Sequence, residues 1–229
     1  MTTPIRILIA DDQALFRSGL AATLSAQSDL DVVAQAANGQ EAVTQVAELE
    51  PDVVLMDIRM PVMDGVEATR QIFAPSSVAR RHRPTRVIVL TTFNLDDQAA
   101  TAIRLGASGF LLKDTTPDFL AACIRTVHAG NAVIAPSELT TLLDRRHIHA
   151  APTSQYLTLT EKEHQILYQV ARGLSNSEIS QQTFLSESTI KTHVGNILRK
   201  LALRDRVQIV VYAYEHDLTR PDPTRPDLT

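Results

Sequence analysis

The chain has 229 residues, of which 44% are hydrophobic, enough for two ordinary domains that each bury a core. Its formal net charge of −4 gives no whole-molecule attraction to nucleic acid, so any such surface must be local. The single Cys123 excludes an intramolecular disulfide and reads as a packed small residue in FLAACIRTV, and no apolar stretch is long enough to span a membrane.

Residues 1–130 alternate strand and helix signals five times. Short β-branched runs predict strands at 6–10, 31–36, 52–56, 86–90 and 109–112. Helical spacing predicts helices at 14–25, 40–49 and 95–105. A further helix is marked by Thr116 as N-cap, Pro117 at its first position and Gly130 just past its end. Such (βα)5 alternation implies an α/β domain with a flavodoxin-like, doubly wound parallel sheet in strand order 2-1-3-4-5. Its switch point lies between the first and third strands. The basic loop FAPSSVARRHRPTR, with Arg80, Arg81 and Arg83, reads as solvated.

Residues 131–155 lose apolar periodicity and read as a linker with a partial helix. His147 and His149 there have no carboxylate or thiol cluster with which to form a metal site. From 156 to 218 strand signals vanish and an all-α domain of four short helices is expected. Thr160 with Glu163 and Ser175 with Glu178 spell capping boxes. Ser186 and Asp205 cap helices running to about Leu201 and His216. Residues 219–229, with three prolines and no apolar period, read as a disordered tail.

Five polar residues stand where apolar runs end: Asp11 and Asp12 after IRILIA, Asp57 after DVVLM, Thr91 after RVIVL and Lys113 after GFLL. In a parallel sheet these ends converge. Three carboxylates repel one another, which is a reason to expect Mg²⁺, held by carboxylates, waters and a phosphate. One carboxylate can then attack phosphorus while Lys113 pairs with a phosphoryl oxygen and Thr91 donates a hydrogen bond. In SESTIKTHVGNILRKL, Ile190, Val194, Ile197, Leu198 and Leu201 form one apolar stripe. Lys191, Thr192, Gly195, Asn196 and Arg199 lie off it, continued by Lys200, Arg204 and Arg206, a polar face that fits the major groove of DNA.

Over residues 5–130 these motifs resemble the receiver domain of two-component response regulators. The likeness rests on the acidic pair, the D-x-x-M-P-x-M-D-G loop from Asp57, Thr91 and Lys113. The segment 157–218 resembles the LuxR-type helix-turn-helix, and the two together resemble the NarL/FixJ class. The resemblance implies that Asp57 accepts a phosphoryl group from a sensor histidine kinase. It implies Mg²⁺ held by Asp12, Asp57 and the Arg59 carbonyl, with Asp11 acting through water, and a switch pair of Thr91 and Phe110. It implies a scaffold helix at 175–183, a recognition helix at 187–201 and a homodimer on DNA to which helix 205–216 contributes. A cytoplasmic location and RNA polymerase as a further partner complete the expectation.

The chain departs from the family's habit at three places: Phe110 where Tyr or His is frequent, Asp114 after the lysine where Pro is usual, and the long basic loop. Regulation rather than catalysis is expected. A phosphotransfer enzyme would want a proton acceptor two residues after its nucleophile, where Arg59 stands. A regulator working through an unphosphorylated receiver would leave the repulsion within the acidic site without a return.

Overall fold

A computed structural model describes residues 3–92, 97–130 and 153–218. They belong to two compact units, Met1–Ile134 and Ala135–Thr229. Most of the expected linker, the expected tail and the first two residues of the helix placed at 95–105 lie outside the described residues.

In the first unit, strands β1 (Ile5–Ala10), β2 (Leu30–Ala36), β3 (Val53–Asp57), β4 (Arg86–Thr91) and β5 (Gly109–Leu112) pair in parallel in the order β2-β1-β3-β4-β5. Helices α1 (Ala14–Ser25), α2 (Gly39–Leu49), α3 (Gly65–Ile72), α4 (Pro75–Val78), α5 (Asp97–Leu105) and α6 (Pro117–His128) cover the sheet. One face, with Ile7, Leu55, Ile88 and Leu90, packs under Leu24 of α1 and Ile124 of α6. Helices α2, α3 and α5 adjoin one another in turn. Because helices cover both faces, the central β3 is an unbroken apolar run as far as Asp57 and is buried at every residue, whereas the edge strand β2 carries exposed Asp31 and Gln35. Cys123 is buried in α6, where burial pushes its thiol pKa up.

Thr116 stands at the N-cap of α6 and Pro117 at its first position, as expected, although the Thr116 side chain makes no cap hydrogen bond. One local expectation changes. In the basic loop, residues 75–78 form the turn α4, and Arg81 is partly buried rather than solvated. Its guanidinium donates to the carbonyls of Ile72 and of Ser77, the latter at 3.3 Å. The fork of donors thus satisfies carbonyls that the ends of α3 and α4 leave free.

In the second unit, a 3-10 turn (Tyr156–Thr158) precedes α7 (Glu161–Ala171), α8 (Asn176–Thr183), α9 (Glu187–Lys200) and α10 (Arg206–Glu215). Both capping boxes form: Thr160 N donates to Glu163 Oε2 at 2.7 Å, and Ser175 N to Glu178 Oε2 at 2.7 Å. Ser186 and Asp205 accept from the amides of Thr189 and Gln208, each at 3.2 Å. Helix α7 packs against α9 and α10, and α8 against α9, around Ile166, Val170, Ile179, Ile190 and Ile197. Among the described residues no helix is long and apolar enough to cross a membrane.

Candidate functional site

Strand register assembles the first site. Ala10 pairs with Met56, so Asp11 and Asp12, which follow β1, come beside Asp57 at the end of β3. Each of the three carboxylates offers an oxygen within 4.8 Å of the others. Asp11 is fully buried and Asp57 nearly so, while Asp12 is exposed. Next to them, Thr91 ends β4 opposite Leu112, and its carbonyl accepts the Lys113 amide at 2.8 Å. All five strand-end residues therefore meet at one edge, as their positions in the sequence led us to expect.

Lys113 holds the acidic groups together. Its Nζ lies 2.6 Å from Asp11 Oδ2 and 2.9 Å from Asp57 Oδ2, and 5.2 Å from the centre of the Phe16 ring. Phe16 was not foreseen, because nothing in a helix pattern marks which apolar residue will lie under a distant lysine. Burial disfavours the ammonium, but the two carboxylates outweigh it and raise the Lys113 pKa. For Asp57 burial wins instead and pushes its pKa up, against the pull of Lys113 and of the Arg59 backbone amide. Oδ2 of buried Asp11 has Lys113 as its partner, while its Oδ1 accepts the Gln13 amide at 2.8 Å. A donor set made of oxygens, acidic in excess and open on the Asp12 side, fits a hard divalent cation.

The loop after Asp57 is tightly fitted. Gly65 N donates to the Ile58 carbonyl at 2.8 Å, and a Cβ at Gly65 would stand 2.0 Å from the Asp57 carbonyl oxygen. Val62 in the same loop has φ of 68°, unusual for a β-branched residue, and its side chain is exposed. Thr91 and Phe110 lie on the same face of the sheet, since Val89 pairs with Phe110 and Thr91 with Leu112. Both are buried, Phe110 at 7% exposure.

The second site is α9. Ile190, Val194 and Ile197 turn inward, while Lys191, Thr192, Gly195 and Arg199 are exposed and Asn196 is partly so. Nothing lies within 4 Å of where a Cβ on Gly195 would be, leaving the backbone open to approach. Two basic residues of the expected polar face are engaged elsewhere. Arg206 is buried, donating to Asn176 Oδ1 at 2.7 Å and to the Leu174 carbonyl; burial lowers its pKa to about 10. Lys200 Nζ lies 2.6 Å from Glu163 Oε2 and 3.0 Å from the Thr158 carbonyl. In the sequence Glu163 reads only as a helix cap, because its partner lies 37 residues away.

Known proteins match both units of the chain. Residues 7–125 match the family described as response regulator receiver domain, and residues 157–213 the bacterial regulatory proteins of the luxR family. Transcriptional regulatory protein LnrK of Bacillus subtilis is 41% identical over 223 residues, covering 94% of this chain and 99% of that protein. Response regulator protein VraR of Staphylococcus aureus is 39% identical over 215 residues, covering 93% of this chain and 98% of that protein. The crystal structure of a LuxR-family response regulator from Aurantimonas sp. SI85-9A1 is 30% identical with a TM-score of 0.54, covering 63% of this chain and 99% of that one. With a receiver fold that gathers an acidic site and a LuxR-type helical unit after it, the chain belongs to the LuxR-family two-component response regulators.

Proposed function

We propose that the protein is a phosphorylation-switched transcription factor. The observation that supports this most is the convergence of Asp11, Asp12, Asp57, Thr91 and Lys113 at one sheet edge. Asp57 is the phosphoacceptor: a carboxylate oxygen forms the new bond to phosphorus as the phosphohistidine bond of a sensor kinase breaks. Mg²⁺ held by Asp12, Asp57 and the Arg59 carbonyl, with Asp11 acting through water, would neutralise charge on the phosphoryl oxygens. Lys113 exchanges a carboxylate for a phosphoryl oxygen, and Thr91 donates to another. With Phe110 on the same face, movement of Thr91 carries the change outward through β4 and β5.

DNA is the second partner. Lys191, Thr192 and Asn196 reach base edges or phosphates, Gly195 lets the backbone approach, and Arg199 holds a phosphate. A homodimer formed on activation, with α10 at the contact, places two such helices on half-sites, and RNA polymerase is the further partner of a regulator so placed.

The test is to retain fragmented genomic DNA on the purified protein and sequence it, with and without Mg²⁺ and acetyl phosphate. Enrichment of a palindromic site that strengthens with the phosphodonor, and no longer does so in Asp57→Ala, is the expected outcome. Equal enrichment in both conditions keeps DNA binding and removes the phosphorylation mechanism.

A further inference from the structure

We infer that Lys200, although it ends the recognition helix and carries a positive charge, does not bind DNA but sets the angle of that helix through an ion pair with Glu163. The inference rests on the DNA-binding reading above. Its starting point is the placement of Lys200 on α9. Three residues after the buried Ile197, it falls at the margin of the polar face, not at its centre. Its side chain is 23% exposed, whereas Lys191 and Arg199 stand in solvent.

The partner is fixed on its own account. Glu163 is 4% exposed and already bound at the N-terminus of α7, where its Oε2 accepts the Thr160 amide at 2.7 Å. The same oxygen takes the Lys200 ammonium at 2.6 Å, and the ammonium also donates to the Thr158 carbonyl at 3.0 Å. One lysine therefore ties the last turn of α9 to both the first turn of α7 and the 3-10 turn before it. Burial works against ionisation of Glu163, but Lys200 and the Thr160 amide outweigh it, and its pKa is lowered. A carboxylate so buried is held in place by its partners and is costly to leave unpaired. Two of the three N–H donors of the Lys200 ammonium are thus committed within the domain. At its other end, α9 is fixed by the Ser186 cap and by Ser180 Oγ donating to the Leu185 carbonyl at 2.5 Å. The Lys200 clamp is the fixed point at the far end. Base-edge contacts depend on docking angle, whereas backbone attraction depends on charge.

The experiment measures the full chain, Lys200→Met and Glu163→Gln on the recovered operator duplex and on a scrambled duplex of equal length, across a salt titration. For Lys200→Met the expected result is a roughly tenfold loss on the operator, with scrambled-duplex affinity and the salt slope unchanged. Equal loss on both duplexes with a slope smaller by about 1 would make Lys200 a phosphate contact and overturn the inference. Glu163→Gln separates the two roles by sign. As a clamp partner its loss lowers operator affinity; if Lys200 bound phosphate, freeing it would strengthen binding to both duplexes. Should Lys200→Met unfold, Glu163→Gln, which keeps an acceptor for the Thr160 amide, carries the test alone. If the wild-type chain binds neither duplex, the DNA-binding reading falls, and this inference with it.

Discussion

At the residue scale, three side chains decide what the acidic site tolerates. Lys113 neutralises two buried carboxylates at once, so Lys113→Met should destabilise the receiver by about 3 kcal/mol in chelator. Added Mg²⁺ should recover part of that loss, read as a shift of the urea midpoint. A recovery of nothing would argue against a cation at these carboxylates. Gly65 has no room for a methyl group against the Asp57 carbonyl, so Gly65→Ala should cost at least about 3 kcal/mol and abolish phosphorylation from acetyl phosphate. Val62 behaves oppositely. A β-branched residue at φ of 68° is strained and its exposed side chain contributes little packing. Val62→Gly should therefore raise stability by about 0.5 kcal/mol, the relief of strain being partly offset by a freer unfolded chain. Such effects were out of reach of the sequence, where Val62 is one letter in a recognisable motif and its backbone angle is set by the turn around it.

At the element scale, most of the architecture was legible. Central strands buried on both faces must be largely apolar, which is why β1, β3, β4 and β5 were plain as runs in the sequence, and why the polar residues at their four ends stood out. Helix starts were equally plain where a cap is a local bond: Thr160, Ser175, Ser186 and Asp205 all accept the amide three residues on. What escaped was long-range pairing of cations. Arg81, Lys200 and Arg206 look alike in sequence as surface charges, yet each donates to a carbonyl at a helix or turn end. No periodicity reports that, because the partner is decided by packing. The clamp between α7 and α9 has a consequence for pH. The Glu163 pKa is lowered from an ordinary 4.5, so its contribution is present above about pH 4.5 and is lost as pH falls through the lower folded-state value. Thermal melts of the isolated transition of the second unit should therefore fall in acid, and Lys200→Met should flatten that dependence.

At the scale of the whole molecule, the chain is two compact units with separate cores, and ligands of one should not act equally on the other. Calorimetry should resolve two transitions, of which Mg²⁺ without a phosphodonor raises only that of the receiver, by about 2.7 kcal/mol at a hundredfold excess over Kd. Specific duplex DNA should raise the other. A single transition shifted by either ligand would show that the units unfold together. Assigning the transitions requires a probe confined to one unit, and the chain contains one. Its only thiol, that of Cys123, is sealed between α6 and the sheet at 3% exposure with its pKa pushed up, so reagent can reach it only when that interface opens. The rate at which the native protein reacts with a thiol reagent is thus a clock on receiver opening alone. It can be read in the intact chain, on DNA or off it, without adding a label or removing a competing cysteine.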